Sequence, residues 1–120
     1  MTLNEKIIAV VSPIVPVCVP DLLVTEAGET PPERYCTFNY TELPDGLGDN
    51  CAVLTRALVQ VHYFAPLKAS TLAVRRALRD AIAAVEDFTL PSIENATDAT
   101  GQHYVLEFDA VERWEAEDDG

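Results

Sequence analysis

Residues 51–86 read CAVLTRALVQVHYFAPLKASTLAVRRALRDAIAAVE, and their hydrophobic period changes once, at Pro66. Before Pro66 apolar and polar residues alternate, which is the period of a strand with one buried face. The predicted core face carries Val53, Thr55, Ala57, Val59, Val61 and Tyr63. The opposite face is mixed and carries Leu54, Arg56, Leu58, Gln60, His62 and Phe64. A mixed face of this length predicts a sheet that is partly covered, either by the following helix or by another copy of the chain.

After Pro66 the sequence has the period of an amphipathic helix. Its apolar stripe consists of Thr71, Val74, Leu78, Ala81, Ile82 and Val85. Its cations lie off that stripe, and they are half of the eight basic residues in the chain: Lys68, Arg75, Arg76 and Arg79. We interpret this segment as a basic helix packed on the sheet, and its four cations as candidate subunit-interface residues.

The 120 residues predict one domain, and the charge balance limits what that domain binds. The net charge is -12, from 20 acidic residues against 8 Lys and Arg. Phosphate contacts are made by cations, so this balance argues against a protein that binds nucleic acid. No segment has the length or composition of a membrane span, because Pro13 and Pro16 interrupt the apolar run at residues 7–19.

The acidic residues concentrate towards the C-terminus, where residues 113–120 are predicted to form an acidic tail after a domain of residues 1–112. A basic helix and an acidic tail on one chain favour head-to-tail pairing between neighbours in a ring. Glu112, Trp114 and Glu115 are the interface candidates on the acidic side. A solvated helix face and a solubilising tail are the alternative interpretation.

The remaining segments complete an α+β pattern. Thr2 and Glu5 have capping-box spacing and begin a short amphipathic helix that ends near Pro13. Further strands are predicted at residues 34–42, 88–91 and 103–111, with a short extended piece at residues 17–24. The predicted fold is therefore a mainly antiparallel β-sheet with an N-terminal helix and one central amphipathic helix packed on it.

The connection before the long strand is longer than a tight hairpin requires. Such a loop is a candidate for docking onto a partner. Its residues are Pro44, Asp45, Gly46, Leu47, Gly48, Asp49 and Asn50.

No motif for catalysis or for a cofactor is present, so we expect no enzymatic activity. His62 and His103 lie on the polar faces of two predicted strands and meet if those strands pair. Neither has a second ligand at close sequence spacing, so we interpret both as structural histidines. A metal site completed by Cys36 or Glu107 is the alternative. Cys18, Cys36 and Cys51 have no paired metal spacing, and we interpret them as reduced, packed thiols.

Four segments carry a resemblance to a known family. Residues 32–40 (PERYCTFNY), residues 60–66 (QVHYFAP), the arginine-bearing helix after them and residues 101–108 (GQHYVLEF) resemble the tail-terminator, or tail-completion, proteins of long-tailed bacteriophages and prophages. The resemblance covers roughly residues 1–112.

The resemblance implies a structural virion protein rather than an enzyme. Members of that family form a ring, usually of six subunits, that caps the head-proximal end of the tail tube and stops its polymerisation. The partners implied are the major tail tube protein and a head–tail connector or neck protein, with DNA passing through the ring without specific binding. The location implied is the virion tail, after assembly in the host cytoplasm. Two alternatives remain open: a head-completion or other neck-joining subunit, and a small metal- or ligand-binding domain that uses His62 and His103.

Overall fold

The computed structural model describes the backbone of residues 2–45 and 53–114 and the side chains of residues 2–43 and 56–111. Its elements follow in the order α1 (Leu3–Val11), β1 (Cys18–Pro20), β2 (Tyr35–Asp45), β3 (Val53–Ala65), α2 (Leu72–Ala83), β4 (Ser92–Asn95) and β5 (Gln102–Trp114). The strands form one sheet in the order β1-β2-β3-β5-β4, in which β1 and β2 are parallel and the other pairs are antiparallel. The predicted α+β fold class is confirmed.

The first helix begins where the capping box predicts. The Thr2 hydroxyl accepts a hydrogen bond from the Glu5 backbone N–H at 3.1 Å, and the Glu5 carboxylate accepts one from the Thr2 N–H at 2.8 Å. These two bonds satisfy donors that the first helical turn leaves unpaired. The helix then buries Leu3, Ile7 and Val11 on one side.

Both helices pack on the same face of the sheet. Ile7 of α1 and Leu78 of α2 belong to one buried cluster with Val59 of β3 and Leu106 of β5. The period-2 pattern of the long strand is confirmed here, since Ala57, Val59, Val61 and Tyr63 are all buried. Helix α2 therefore covers the predicted core face, and the alternative in which it covers the mixed face is wrong.

Three local predictions need correction. Lys68 lies in the turn before α2 rather than on the helix, which begins at Leu72. Residues 88–91 form only an isolated bridge from Phe88 to Ala110, and the edge strand β4 begins after Pro91. Pro44 and Asp45, which we predicted in the docking loop, belong to β2 and pair with β3.

The two sheet edges are short. Strand β1 has three residues and ends at Pro20, and β4 has four residues and follows Pro91. Strand β1 pairs with only Cys36–Phe38 of the eleven-residue β2, so residues 39–45 of β2 have no strand partner on that side within the described residues. Among the described residues, no helix is long and apolar enough to cross a membrane.

Candidate functional site

The sheet face opposite the helices is not covered by either helix, and we call it the open face. Its described side chains come mainly from the three long strands. Those of the long strands are Tyr35, Thr37, Asn39, Thr41 and Leu43 of β2, Arg56, Leu58, Gln60, His62 and Phe64 of β3, and His103, Val105, Glu107, Asp109 and Val111 of β5. Leu58 is 38% exposed, whereas its chain neighbours Ala57 and Val59, on the core face, are almost fully buried.

Three aromatic rings stack across the open face at one end of the sheet. Tyr35 pairs in register with Phe64, and Phe64 with His103. The ring centroids of Tyr35 and Phe64 are 4.7 Å apart and those of Phe64 and His103 are 4.3 Å apart, with interplanar angles of 20° and 22°. Rings on directly opposed residues of neighbouring strands are close enough to stack. The result is a continuous aromatic surface three strands wide, which we call the aromatic row.

A histidine pair adjoins the aromatic row. The Nδ1 atom of His62 lies 2.8 Å from the Nε2 atom of His103, as the sequence predicts for paired strands. On its other side, the Nε2 atom of His62 lies 3.3 Å from the Asn39 amide nitrogen. When that amide donates, His62 carries its proton on Nδ1 and donates it to His103. A hydrogen bond between the two rings requires at least one of them to be neutral.

The surroundings of this pair favour the neutral form. Burial lowers the pKa of His62, and the neighbouring His103 lowers it further. Burial also lowers the pKa of His103, while the Asp98 carboxylate acts in the opposite direction. Hydrogen bonds from the Thr100 hydroxyl and backbone N–H in turn lower the pKa of Asp98 and keep it ionised at neutral pH.

A pocket of about 350 Å³ opens at the end of the aromatic row, and we call it the acidic–aromatic pocket. Tyr35, Phe64 and His103 line one part of it, and Glu33 and Asp98 supply the two carboxylates in its lining. Within the described residues, neither carboxylate forms an ion pair with a cation. The pocket therefore combines ring surfaces with negative charge.

A buried glutamine fixes the base of this region. The Gln102 amide nitrogen donates to the carbonyl oxygens of Pro66 and Ala69, each at 2.8 Å. Its amide oxygen accepts from the Thr71 hydroxyl at 2.8 Å and from the Tyr104 hydroxyl at 2.6 Å. These bonds hold the connection between β3 and α2 against β5.

The four cations of the predicted basic helix have four different environments. The Arg75 guanidinium lies over the Tyr104 ring, with its central carbon 4.1 Å from the ring centroid, a cation–π distance. Arg79 pairs with the adjacent Asp80 at 3.0 Å. Arg76 is exposed on α2, and Lys68 is exposed in the preceding turn. Neither of these two forms an ion pair within the part of the chain that the structure describes.

Several other candidate residues lie wholly or partly outside the described residues. Gly46, Leu47, Gly48, Asp49, Asn50 and Glu115 lie outside the described residues, as does Cys51. The backbones of Glu112 and Trp114 belong to β5 and pair with Thr55 and Val53, and their side chains are outside the described set.

The histidine pair does not form, with Cys36 or Glu107, the metal site that the sequence left open as an alternative. Cys36 is fully buried in the core, on the other face of the sheet. Glu107 instead accepts a hydrogen bond from Gln60 at 3.2 Å. Among the described residues, no group of three or more His, Cys, Asp or Glu side chains converges on one point.

The sequence reasoning identified the two histidines and missed the aromatic row and Gln102. Tyr35, Phe64 and His103 are 29 and 39 positions apart, so only the strand register brings them into one row. One sequence feature does point to Gln102: it lies at the start of an alternating strand, two residues before the inward-facing Tyr104. No family model matches this sequence, and no curated protein sequence matches it.

Proposed function

We propose that this chain is a ring-forming structural protein that caps the head-proximal end of a phage tail tube, ends tube polymerisation and joins the tail to the neck. The observation that carries the proposal is the open face, together with the sequence resemblance. Both helices lie on one side of the sheet. On the other side, residues 21–23 line a pocket with Thr37, while Leu58 is exposed to water or to a partner. Stacked rings and an exposed leucine on that side favour a partner.

A tube cap needs two unlike surfaces. One must match the last tube ring, and the other must refuse a further tube ring. A sheet with both helices on one face and neither on the other gives each subunit two unlike faces.

The proposal names the major tail tube protein on one side and a head–tail connector or neck protein on the other. A protein with a net charge of -12 repels a phosphate backbone, so DNA passes the ring without specific binding. The site of action is the virion tail, and assembly occurs in the host cytoplasm.

Negative-stain electron microscopy of the purified chain at high concentration tests this proposal, with native mass spectrometry for the copy number. Closed rings of about six copies are the expected result. Monomers at every concentration, with no rings in the micrographs, would contradict it. A head-completion subunit would also form rings of this size. Binding to the end of a tail tube distinguishes the two, since only a tail cap is expected to bind there.

A metal- or ligand-binding role for His62 and His103 is the second candidate, favoured by the 2.8 Å contact between their rings. Two imidazoles supply half of a tetrahedral zinc set, so the remaining ligands would come from water or another copy. Titration calorimetry with zinc, on the wild type and on His62→Gln, decides this case. Stoichiometric binding that the substitution abolishes supports the metal role, and no heat above dilution contradicts it.

A further inference from the structure

We propose that the acidic–aromatic pocket of one copy receives the Arg76 side chain of the next copy, in a head-to-tail contact. This inference rests on the proposed ring function and assigns its subunit contact. The sequence predicts only that a basic helix pairs with an acidic tail. The structure points instead to one donor residue and one acceptor pocket.

The pocket chemistry selects a guanidinium group. The face of an aromatic ring attracts a cation, and arginine stacks on such rings better than lysine does. Glu33 and Asp98 add carboxylates that pair with the same group through charge-assisted hydrogen bonds. A volume of about 350 Å³ is near the lower end of ligand clefts, which suits one long side chain rather than a large molecule.

Arg76 is the donor because the neighbouring arginines are already engaged. Arg75 is half-buried over Tyr104, and Arg79 is paired with Asp80. Arg76 is exposed and has no ion pair within the described residues. An exposed cation and two carboxylates, none of them in an ion pair within the described residues, have complementary charges.

Arg76 is not among the residues that line the pocket of its own copy. Helix α2 packs on the core face through Leu78 and Ile82, whereas Tyr35 and Phe64 belong to the open face. The contact therefore joins two different copies. A contact between unlike surfaces is heterologous, and repetition of it with a closing rotation generates a ring.

The test measures self-association by sedimentation velocity for the wild type, Arg76→Glu and Glu33→Arg. Both substitutions are at exposed positions and leave the core unchanged. We expect each to weaken association by about tenfold or more, the effect of losing a desolvated cation–π and ion-pair contact. Lys68→Glu and Glu42→Arg make the same charge changes at other exposed sites and are expected to associate like the wild type.

Mixing the Arg76→Glu and Glu33→Arg chains tests the head-to-tail geometry. Each mixed pair has one junction with a native Arg76 opposite a native pocket, so association is expected to recover in the mixture. Phe64→Leu keeps an apolar side chain but removes the central ring, and it is expected to weaken association without unfolding the chain.

The results separate this inference from the proposed function. Rings that form equally well from Arg76→Glu and Glu33→Arg overturn the Arg76 contact and leave the ring function intact. A wild-type chain that stays monomeric at high concentration overturns both.

Discussion

The imidazole rings of His62 and His103 are hydrogen-bonded to each other across neighbouring strands on the open face, with Nδ1 of His62 2.8 Å from Nε2 of His103. Strand β3 supplies one ring and β5 the other. The pair borders the acidic–aromatic pocket, because His103 also belongs to the aromatic row. The charge of this pair therefore bears on both stability and association.

Acid is expected to destabilise the fold through this pair. Burial lowers the pKa of both histidines, so below about pH 6.5 the unfolded chain binds more protons than the folded one. The free energy of unfolding is then highest above about pH 7 and falls as the pH drops through 6.5 and below. Denaturant unfolding of the wild type and of His62→Gln/His103→Gln at pH 7.5 and 5.5 measures this.

The double variant is expected to lose less stability between those two pH values. Carboxylates with a lowered pKa, such as Asp98, lose their contribution only at lower pH, around 4 and below. They leave the comparison between pH 7.5 and 5.5 undisturbed. Equal losses in both proteins would show that the histidine pair is not the cause.

Replacing the buried glutamine is expected to be costly. Gln102→Leu removes the hydrogen-bond partner of the Thr71 and Tyr104 hydroxyls and of the Ala69 carbonyl, at a cost of about 3 kcal/mol in the free energy of unfolding. Gln60→Leu is the matched control, since Gln60 makes one exposed hydrogen bond to Glu107. Its expected effect is within about 0.5 kcal/mol. Similar midpoints for the two variants in a urea titration would argue against the Gln102 network.

Two leucines on opposite faces of the sheet test its one-sided core. Leu106 is fully buried, so Leu106→Ala is expected to cost about 2–5 kcal/mol. Leu58 is on the open face and 38% exposed, and Leu58→Ala is expected to cost less than about 1 kcal/mol in the isolated chain. Thermal unfolding at low protein concentration measures the loss of stability in both variants. A large loss for Leu58→Ala alone in the monomer would mean that the open face is covered.

The two described cysteines are expected to react slowly with thiol reagents. Both are buried; burial raises the pKa of the Cys18 thiol to about 11 and that of Cys36 further still. Thiolate is the reactive form, so the native protein keeps both unreactive at neutral pH. The Cys51→Ser variant retains only these two cysteines. A disulfide-exchange assay on it is expected to detect no thiol in the native protein and two thiols after denaturant is added. Rapid reaction without denaturant would place at least one of them at the surface.

Much of this fold follows from the sequence because its long strands alternate cleanly. Val59, Val61 and Tyr63 were assigned to the core by period alone, and they are buried. The edge strand was misplaced because β4 consists of Ser, Ile, Glu and Asn, without an alternating pattern, while Phe88–Pro91 has the apolar residues. An edge strand that pairs on one side needs little hydrophobic signal.

The start of α2 was misjudged for a physical reason. Its N-cap is Thr71, but the Thr71 hydroxyl donates to Gln102 and makes no capping bond. A tertiary contact therefore lies at this boundary. The local sequence pattern does not contain it and predicts a helix that begins earlier, at Lys68. The acidic–aromatic pocket likewise depends on strand register, which joins Tyr35, Phe64 and His103 from distant positions.

The most direct test of the central claim, that copies of this chain assemble head to tail into a ring, is native mass spectrometry of the concentrated protein at low salt. The account predicts a single closed species of about six copies for the wild type and mostly monomers for Arg76→Glu. A wild-type spectrum that contains only monomers would contradict it.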